Sequence, residues 1–222
     1  ADSFVNAVFY GDYSFIIEQA IPGPEYCFEV IVIDGGVHIA VSHSKTLVHT
    51  PHSVLEDQMM SPGLTDAAEL AEAHSYLVRI FAKLGLTQGL YHVELRRPSW
   101  GWELIEVNTR VGGGLINDSG KARLQGTSLL DLWIFGLLWN HPQFNVRERF
   151  AAAAKHFEST PGAPAPTVYT FQQYFYGEPG KTIIAINTPV SLREPLVQIL
   201  SAKVGDTVPA SDREHDLAMA MW

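Results

Sequence analysis

The chain has 222 residues, which is enough for one large domain or two small ones. With 46% hydrophobic and 18% charged residues, its composition is that of a folded globular protein and excludes a disordered one. The formal net charge of −9 argues against a general nucleic-acid binder, which needs a basic surface, but leaves room for a local basic pocket.

The cysteine count and the apolar runs bear on compartment and membrane. Cys27 is the only cysteine, so an intramolecular disulfide and a cysteine-based zinc cluster are excluded, and a reducing, cytoplasmic location is expected. The N-terminus does not have the pattern of a signal peptide. The most apolar run, residues 128–139, is too short to span a membrane and contains Asp131. We expect it to form a buried core helix, and we expect no membrane partner.

The first part of the chain predicts an antiparallel meander followed by a helix. Three segments have the β-branched and aromatic residues of strands: residues 14–21, 25–34 and 37–43. The sequence Asp34-Gly35-Gly36 predicts a tight hairpin between the last two. Residues 47–64 are predicted to be irregular or a short helix. Apolar residues at helical spacing over residues 66–86 predict an amphipathic helix with Gly85 at its C-terminal end.

The second part predicts another hairpin, two helices and a β-rich tail. The predicted strands of the hairpin are residues 89–97 and 102–110, and the predicted helices are residues 127–139 and 146–157. Residues 160–167 form a Pro/Gly-rich linker. After it, β character recurs in residues 169–177, 181–189 and 196–206.

These elements predict an α+β protein in which an antiparallel sheet is flanked by helices. The linker suggests a division into residues 1–159 and a mostly β C-terminal subdomain, residues 160–222.

The predicted hairpin carries acidic side chains on one face. Because alternate residues of a strand share a face, Glu106, Asn108 and Arg110 lie together on the second strand. If the turn is centred in the short loop between the strands, Glu94 lies directly across from Glu106. Like charges in that position destabilise a sheet, so solvent, Arg96 or a bound cation has to offset them.

The polar series suits a magnesium site. Glu94, Glu106 and Asn108 supply the hard oxygen ligands that Mg²⁺ prefers, and Arg110 can hold a phosphate or carboxylate through two hydrogen bonds. Glycines 112–114 would let the backbone approach a ligand closely or adopt a positive φ. The alternative is a solvated hairpin face, screened by a neighbouring arginine, with the glycines serving a turn.

Two motifs resemble those of one family. Glu94, followed by Glu106-x-Asn108-x-Arg110, resembles the metal-binding signature of the ATP-grasp superfamily. Upstream, IIEQAIPGPEYCFEV, residues 16–30, is similar to the hinge that holds adenine and ribose in that superfamily. The resemblance covers about residues 12–140 in order and spacing, and two such motifs separated by a helix are more specific than one.

The resemblance implies a role for each matching residue. The implied nucleotide contacts are Glu18 and the backbone of Gln19 to Ile21 for adenine, and Glu25 for the ribose hydroxyls. The implied metal ligands are Glu94 and Glu106, with Asn108 assisting. Arg110 is the implied catalytic residue, which stabilises the phosphoryl group or the acyl phosphate. The implied cofactors are ATP and Mg²⁺, with Mn²⁺ as an alternative metal.

Within the superfamily, RVGGGLIND after the metal motif and SHSKT before the helix look most like carboxylate–amine ligases, which include L-amino acid ligases. Such enzymes phosphorylate a carboxylate with ATP and let an amine attack the acyl phosphate. The expected partners are therefore ATP and small carboxylate and amine substrates, with a homodimer as one open assembly state. Three alternatives stay open: a biotin carboxylase or carbamoyl phosphate synthetase-like enzyme, a degenerate module for binding or assembly, and an unrelated binding protein with solvated carboxylates.

The chain also departs from the family. Nothing in it matches the N-terminal domain, the phosphate-contacting lysines or the glycine-rich lid of ATP-grasp enzymes. Lys45 is the only lysine before the predicted helix of residues 66–86. We therefore expect a fragment or split subunit of a ligase, which does not grip the triphosphate by itself.

Overall fold

The computed structural model describes residues 19–49, 54–163, 165–187, 193–209 and 216–222. Eight strands in this part form one sheet: β1 (Glu25–Ile33), β2 (Gly36–His49), β3 (Val54–Ser61), β4 (Gly89–Arg96), β5 (Glu103–Asn108), β6 (Thr170–Tyr176), β7 (Val197–Leu200) and β8 (Asp216–Met221). Their order is β5-β4-β1-β2-β3-β6-β8-β7, and every neighbouring pair is antiparallel. Four helices flank the sheet: α1 (Ala67–Leu84), α2 (Ile116–Arg123), α3 (Leu129–Leu137) and α4 (Val146–Ala154). The predicted antiparallel α+β fold is confirmed.

The sheet has a separate hydrophobic core on each face. On one face, Leu77 and Phe81 of α1 pack with Phe28 of β1. On the other face, α2, α3 and α4 pack over residues such as Cys27 and Ile31 of the same strand. Because both faces of β1 are covered, the strand is apolar nearly throughout and does not show simple alternation.

Local signals set the main turns and caps. Asp34 (φ 50°) and Gly35 (φ 80°) both have positive φ, which is the geometry of the tight hairpin expected between β1 and β2. At the start of α1, the Asp66 carboxylate accepts hydrogen bonds from the amides of Ala68 and Glu69. Gly85 ends α1 in the left-handed conformation, as predicted.

The expectation for residues 47–64 is wrong. β2 continues to His49, and Val54–Ser61 forms β3 instead of irregular structure or a short helix. β3 lies between β2 and β6, and its pairing with β6 joins Met60 to Phe171. Such distant hydrogen bonds leave no trace in a local pattern, and here they override weak local propensity.

Three smaller expectations also need correction. Residues 116–123 form α2, a short helix that no pattern in the sequence indicates. α3 is not a fully buried helix, because Leu130, Ile134 and Leu137 on one side of it are exposed. In the described part of residues 181–189, the only β pairing is an isolated bridge between Thr182 and Thr207. The predicted strand at residues 14–21 lies mostly outside the described residues.

The sheet continues across the predicted linker. β6, which follows the linker, pairs with β3, and β8 pairs with β6. The division of the chain at residue 160 therefore remains a prediction, with both proposed parts contributing strands to one sheet. Among the described helices, none has the length and apolar character needed to cross a membrane.

Candidate functional site

The two acidic strands meet in the expected register. Glu94 of β4 lies directly opposite Glu106 of β5, and His92 lies opposite Asn108. Glu106 is exposed, whereas the side chain of Glu94 is only 16% exposed. The repulsion between the two carboxylates is therefore partly relieved by solvent on the Glu106 side, and Glu94 needs cations from the protein.

Lys45 of β2 is the main cation beside Glu94. Its Nζ atom lies 2.9 Å from Glu94 Oε1, 2.9 Å from Glu25 Oε1 and 2.6 Å from Glu56 Oε1, and the side chain is 3% exposed. Burial acts to lower the pKa of Lys45, but the charges of Glu56 and Glu94 outweigh it and raise that pKa well above its usual value. Arg96 binds Glu25 instead of Glu94. The Lys45 ammonium therefore links β2 to the neighbouring carboxylates of β1, β3 and β4.

His92 supports Glu94 from the other side. Its Nδ1 lies 2.5 Å from Glu29 Oε1, and its Nε2 lies 3.2 Å from Glu94 Oε1. Burial acts to lower the pKa of His92, but hydrogen bonds and charges from the two glutamates raise it to about 9. Burial acts to raise the pKa of Glu94, but His92 and Lys45 lower it to about 2. At neutral pH, therefore, Glu94 is ionised and His92 is protonated.

The raised pKa of His92 predicts a loss of stability in alkaline solution. An imidazole whose pKa rises from 6.5 to about 9 on folding stabilises the protein fully below pH 6.5, and this stabilisation is lost as the pH rises through about 9. We expect the urea midpoint to fall across this window and the His92→Gln variant to show a flatter profile. Equal slopes in the variant and the wild type would assign the effect to another group.

The three glycines after β5 have different local roles. The Gly112 amide donates to Glu29 Oε1 and Oε2 at 3.2 and 3.3 Å, and a Cβ at Gly112 would lie 2.6 Å from His92 Nδ1. Gly114 has φ +60°, and a Cβ there would lie 2.2 Å from the Tyr174 hydroxyl oxygen. Nothing lies within 4 Å of a Cβ at Gly113. Glycines 112 and 114 thus allow the backbone to approach side chains of the site.

This difference makes a matched pair of variants. We expect Gly114→Ala to destabilise the protein by about 1–3 kcal/mol, because it adds an atom to a filled space at a positive φ. Gly113→Ala, one residue away in open space, should change the free energy of unfolding by less than about 0.5 kcal/mol. Urea denaturation measures both. Equal losses would show that Tyr174 does not restrict the loop.

A cavity of about 340 Å³ lies between the hairpin, the glycine loop and the strands that follow the linker. Its polar lining residues are Glu56, His92, Glu94, Arg110, Tyr174, Tyr176 and Asp216. The lining therefore combines carboxylates with cationic groups and aromatic rings. Such a cavity suits a small charged ligand that is held by several groups at once.

Two of the four predicted metal and catalytic residues line this cavity, whereas Glu106 and Asn108 are not among its lining residues. Glu94 and Arg110 line the cavity, and the Arg110 Nη1 donates to the Val111 carbonyl at 3.1 Å. The Asn108 Nδ2 donates to Glu106 Oε1 at 2.6 Å, a bond that does not use the amide oxygen. No cluster of three His, Cys, Asp or Glu side chains in the described part could hold a metal ion. With Asn108 included, the oxygen donors on the facing strands suit a hard cation.

The predicted hinge residues are only partly described. Glu18 lies outside the described residues, and Gln19 is exposed. The Ile21 carbonyl accepts from Arg96 Nη1 at 2.7 Å. The Glu25 side chain is 10% exposed and binds both Lys45 and Arg96. The nucleotide roles of these residues therefore remain predictions, while the structure adds Lys45 and His92, to which the sequence motifs assigned no role at the site.

The antiparallel sheet with its acidic hairpin and flanking helices has the ATP-grasp fold. The family model described as "ATP-grasp domain" matches residues 3–118, and the chain belongs to that family. No curated protein sequence matches the chain significantly.

Solved structures share this fold at low sequence identity. An L-amino acid ligase from Bacillus licheniformis matches with a TM-score of 0.71 and 18% identity, over 91% of this chain and 49% of that one. A phosphoribosylglycinamide synthetase from Anaerococcus prevotii matches with a TM-score of 0.66 and 11% identity, over 91% and 48%. The biotin carboxylase domain of the Hydrogenobacter thermophilus 2-oxoglutarate carboxylase, in complex with MgADP, ADP and bicarbonate, matches with a TM-score of 0.56 and 13% identity, over 89% and 41%. The chain thus spans about half the length of the first two structures.

Proposed function

We propose that this chain is part of an ATP- and Mg²⁺-dependent ligase that joins a carboxylate to an amine through an acyl phosphate. The observation that carries the proposal is the direct pairing of Glu94 with Glu106 in a chain of the ATP-grasp family. Asn108 follows on the same strand, and Arg110 lines the adjoining cavity. The fold match to an L-amino acid ligase supports the carboxylate–amine type of reaction.

Different residues of the chain would bind the metal, bind the phosphoryl group and orient the metal ligand during phosphoryl transfer. Glu94, Glu106 and Asn108 would hold Mg²⁺, which neutralises charge on phosphate oxygens when it is bound. Arg110 would bind the transferred phosphoryl group or the acyl phosphate by charge-assisted hydrogen bonds. His92 and Lys45 keep the Glu94 carboxylate ionised and oriented. Because the reaction needs positioning and charge stabilisation, no nucleophilic side chain is required.

The nucleotide would extend from this site toward the hinge. Glu18 and the backbone of Gln19 to Ile21 are the proposed adenine contacts, and Glu25 is the proposed ribose contact. Glu25 and Glu94 bind the same Lys45 ammonium, which supports a single continuous site for the two ends of the nucleotide.

The test is ATP turnover by the full-length protein with pairs of L-amino acids and Mg²⁺. We expect ADP to be released only when a carboxylate substrate is present. When hydroxylamine replaces the amine substrate, we expect a hydroxamate to form. ADP release that requires bicarbonate instead would favour a carboxylase-type reaction. Nucleotide binding without turnover on any substrate would favour the degenerate module.

A further inference from the structure

The Lys45 ammonium is buried among carboxylates. Three carboxylates from three different strands surround its Nζ atom: Glu25 of β1, Glu56 of β3 and Glu94 of β4. All three N–O distances are 2.9 Å or less. The ammonium has three N–H donors, so this arrangement can use each of them.

The Lys45 ammonium contacts Glu94, the carboxylate that the proposed function assigns to the metal. Glu94 Oε1 accepts from Lys45 Nζ at 2.9 Å and lies 3.2 Å from His92 Nε2. A divalent cation at the same carboxylate would meet the positive charge of Lys45 at short range. In a partly buried site, two such cations repel each other strongly.

We propose that Lys45 is a built-in counter-ion, which neutralises Glu94 in the metal-free protein and competes with the divalent cation for it. The proposal rests on the proposed function, because it takes Glu94 as a metal ligand. Without Lys45, the carboxylates of Glu25, Glu56 and Glu94 would face one another with no ammonium between them, which would destabilise the metal-free fold. Lys45 therefore stabilises the empty site and weakens metal binding by the same contacts.

Two substitutions test this competition because they should act in opposite directions. Lys45→Met removes the competing charge, so Mg²⁺ affinity should rise by about fivefold or more, the lower end of ordinary coupling between sites. Its metal-free form should melt at a lower temperature than the wild type, and Mg²⁺ should raise that temperature more. Glu56→Gln removes one partner of Lys45 and concentrates the ammonium on the other two, so Mg²⁺ affinity should fall.

Matched controls separate competition from simple charge effects. Asp216→Asn removes the same charge from the wall of the same cavity, and Asp216 is not among the three carboxylates that pair with Lys45. Its loss of Mg²⁺ affinity should therefore be smaller than that of Glu56→Gln. Lys83→Gln removes an exposed lysine from the last turn of α1 and should leave Mg²⁺ affinity unchanged.

Isothermal titration with Mg²⁺ alone, without nucleotide, measures these affinities on the full-length protein. Tighter binding to Lys45→Met than to the wild type supports the proposal, including the case in which only the variant binds. Equal, weaker or absent binding in a folded Lys45→Met protein overturns it. If Lys45→Met does not fold, the Mg²⁺ affinities of Glu56→Gln and Asp216→Asn decide between the outcomes. Weaker Mg²⁺ binding by Glu56→Gln than by Asp216→Asn supports the proposal, and equal affinities overturn it.

The Mg²⁺ titrations, combined with the ADP-release assay on the wild type, separate this inference from the proposed ligase reaction. If Lys45→Met binds Mg²⁺ no better while the wild type releases ADP with its substrates, only the counter-ion role is wrong. If the affinities follow the expected order while the wild type releases no ADP with any substrate, only the ligase reaction is wrong.

Discussion

Replacing Glu106 with alanine is expected to abolish ATP-dependent ADP release by the full-length protein, with a loss of about 100-fold or more. Glu106 is exposed and hydrogen-bonded to Asn108, so its removal leaves no buried group without a partner. It also removes the like charge opposite Glu94. The thermal stability of the metal-free variant should therefore be at least that of the wild type, while the site loses one of the two carboxylates proposed to bind the metal.

The control for this variant is Glu103→Ala. Glu103 lies on the same strand and accepts a hydrogen bond from Trp100 Nε1 at 3.0 Å, away from the predicted ligands. Its substitution should leave turnover within about twofold of the wild type, as expected of a surface change outside the site. Steady-state ADP release at saturating ATP measures both variants. Unchanged turnover in Glu106→Ala would contradict the metal assignment.

The geometry of the hairpin could be predicted because the rules that set it are local. Strand alternation and a short connecting loop are enough to place Glu94 opposite Glu106, and the structure has this pairing. The bounds of α1 follow in the same way from its apolar spacing, from Asp66 at one end and from Gly85 at the other. For the hairpin register and for the bounds of α1, the residues that set the geometry lie in the same element or in two consecutive ones.

The charge balance of the site could not be predicted because its partners are distant in sequence. Lys45 and Glu94 are separated by 49 positions, and His92 and Glu29 by 63. From strand alternation, solvent, Arg96 or a bound cation could offset the facing carboxylates, but Arg96 binds Glu25. Only the strand order, with β1 between β2 and β4, brings the Lys45 side chain to Glu94. That order depends on packing of the whole sheet.

For the three glycines after β5, the sequence predicted a close approach without naming the atoms that are approached. The sequence suggested a close approach of the backbone to a ligand. The structure places Gly112 against His92 and Glu29, and Gly114 against Tyr174, so the close contacts are with side chains of the protein. The loop thereby packs against the groups that hold Glu94, which is a geometric reason for glycine that no local pattern contains.

Arg123 and Glu158 form a buried ion pair whose loss is expected to lower the stability of the protein strongly. The side chains of Arg123, at the end of α2, and Glu158 are 6% and 4% exposed, and Arg123 Nη2 lies 2.9 Å from Glu158 Oε1. Glu158 also accepts from the Ser42 hydroxyl, and Arg123 donates to the Val168 carbonyl at 2.6 Å. The pair therefore ties α2 to β2 and to the segment that precedes β6.

Removing one partner of this pair leaves the other charge buried. We expect Arg123→Met to lose about 3–5 kcal/mol of the free energy of unfolding, measured by urea denaturation. That is a large share of the roughly 5–15 kcal/mol that stabilises an ordinary domain. The double variant Arg123→Met/Glu158→Met should lose less than the single one, because it leaves no unpaired charge.

Glu72→Ala is the matched control for an exposed pair. Glu72 binds Arg97 at 2.7 Å, but its side chain is 59% exposed, so its loss should cost about 1 kcal/mol or less. A loss below about 1 kcal/mol in Arg123→Met would contradict the burial of the inner pair. Because Ile116 at the start of α2 lines the cavity, Arg123→Met should also loosen one wall of the site. Folded Arg123→Met, unlike Glu106→Ala, retains both carboxylates proposed to bind the metal, so cooling should restore its ADP release and leave that of Glu106→Ala abolished.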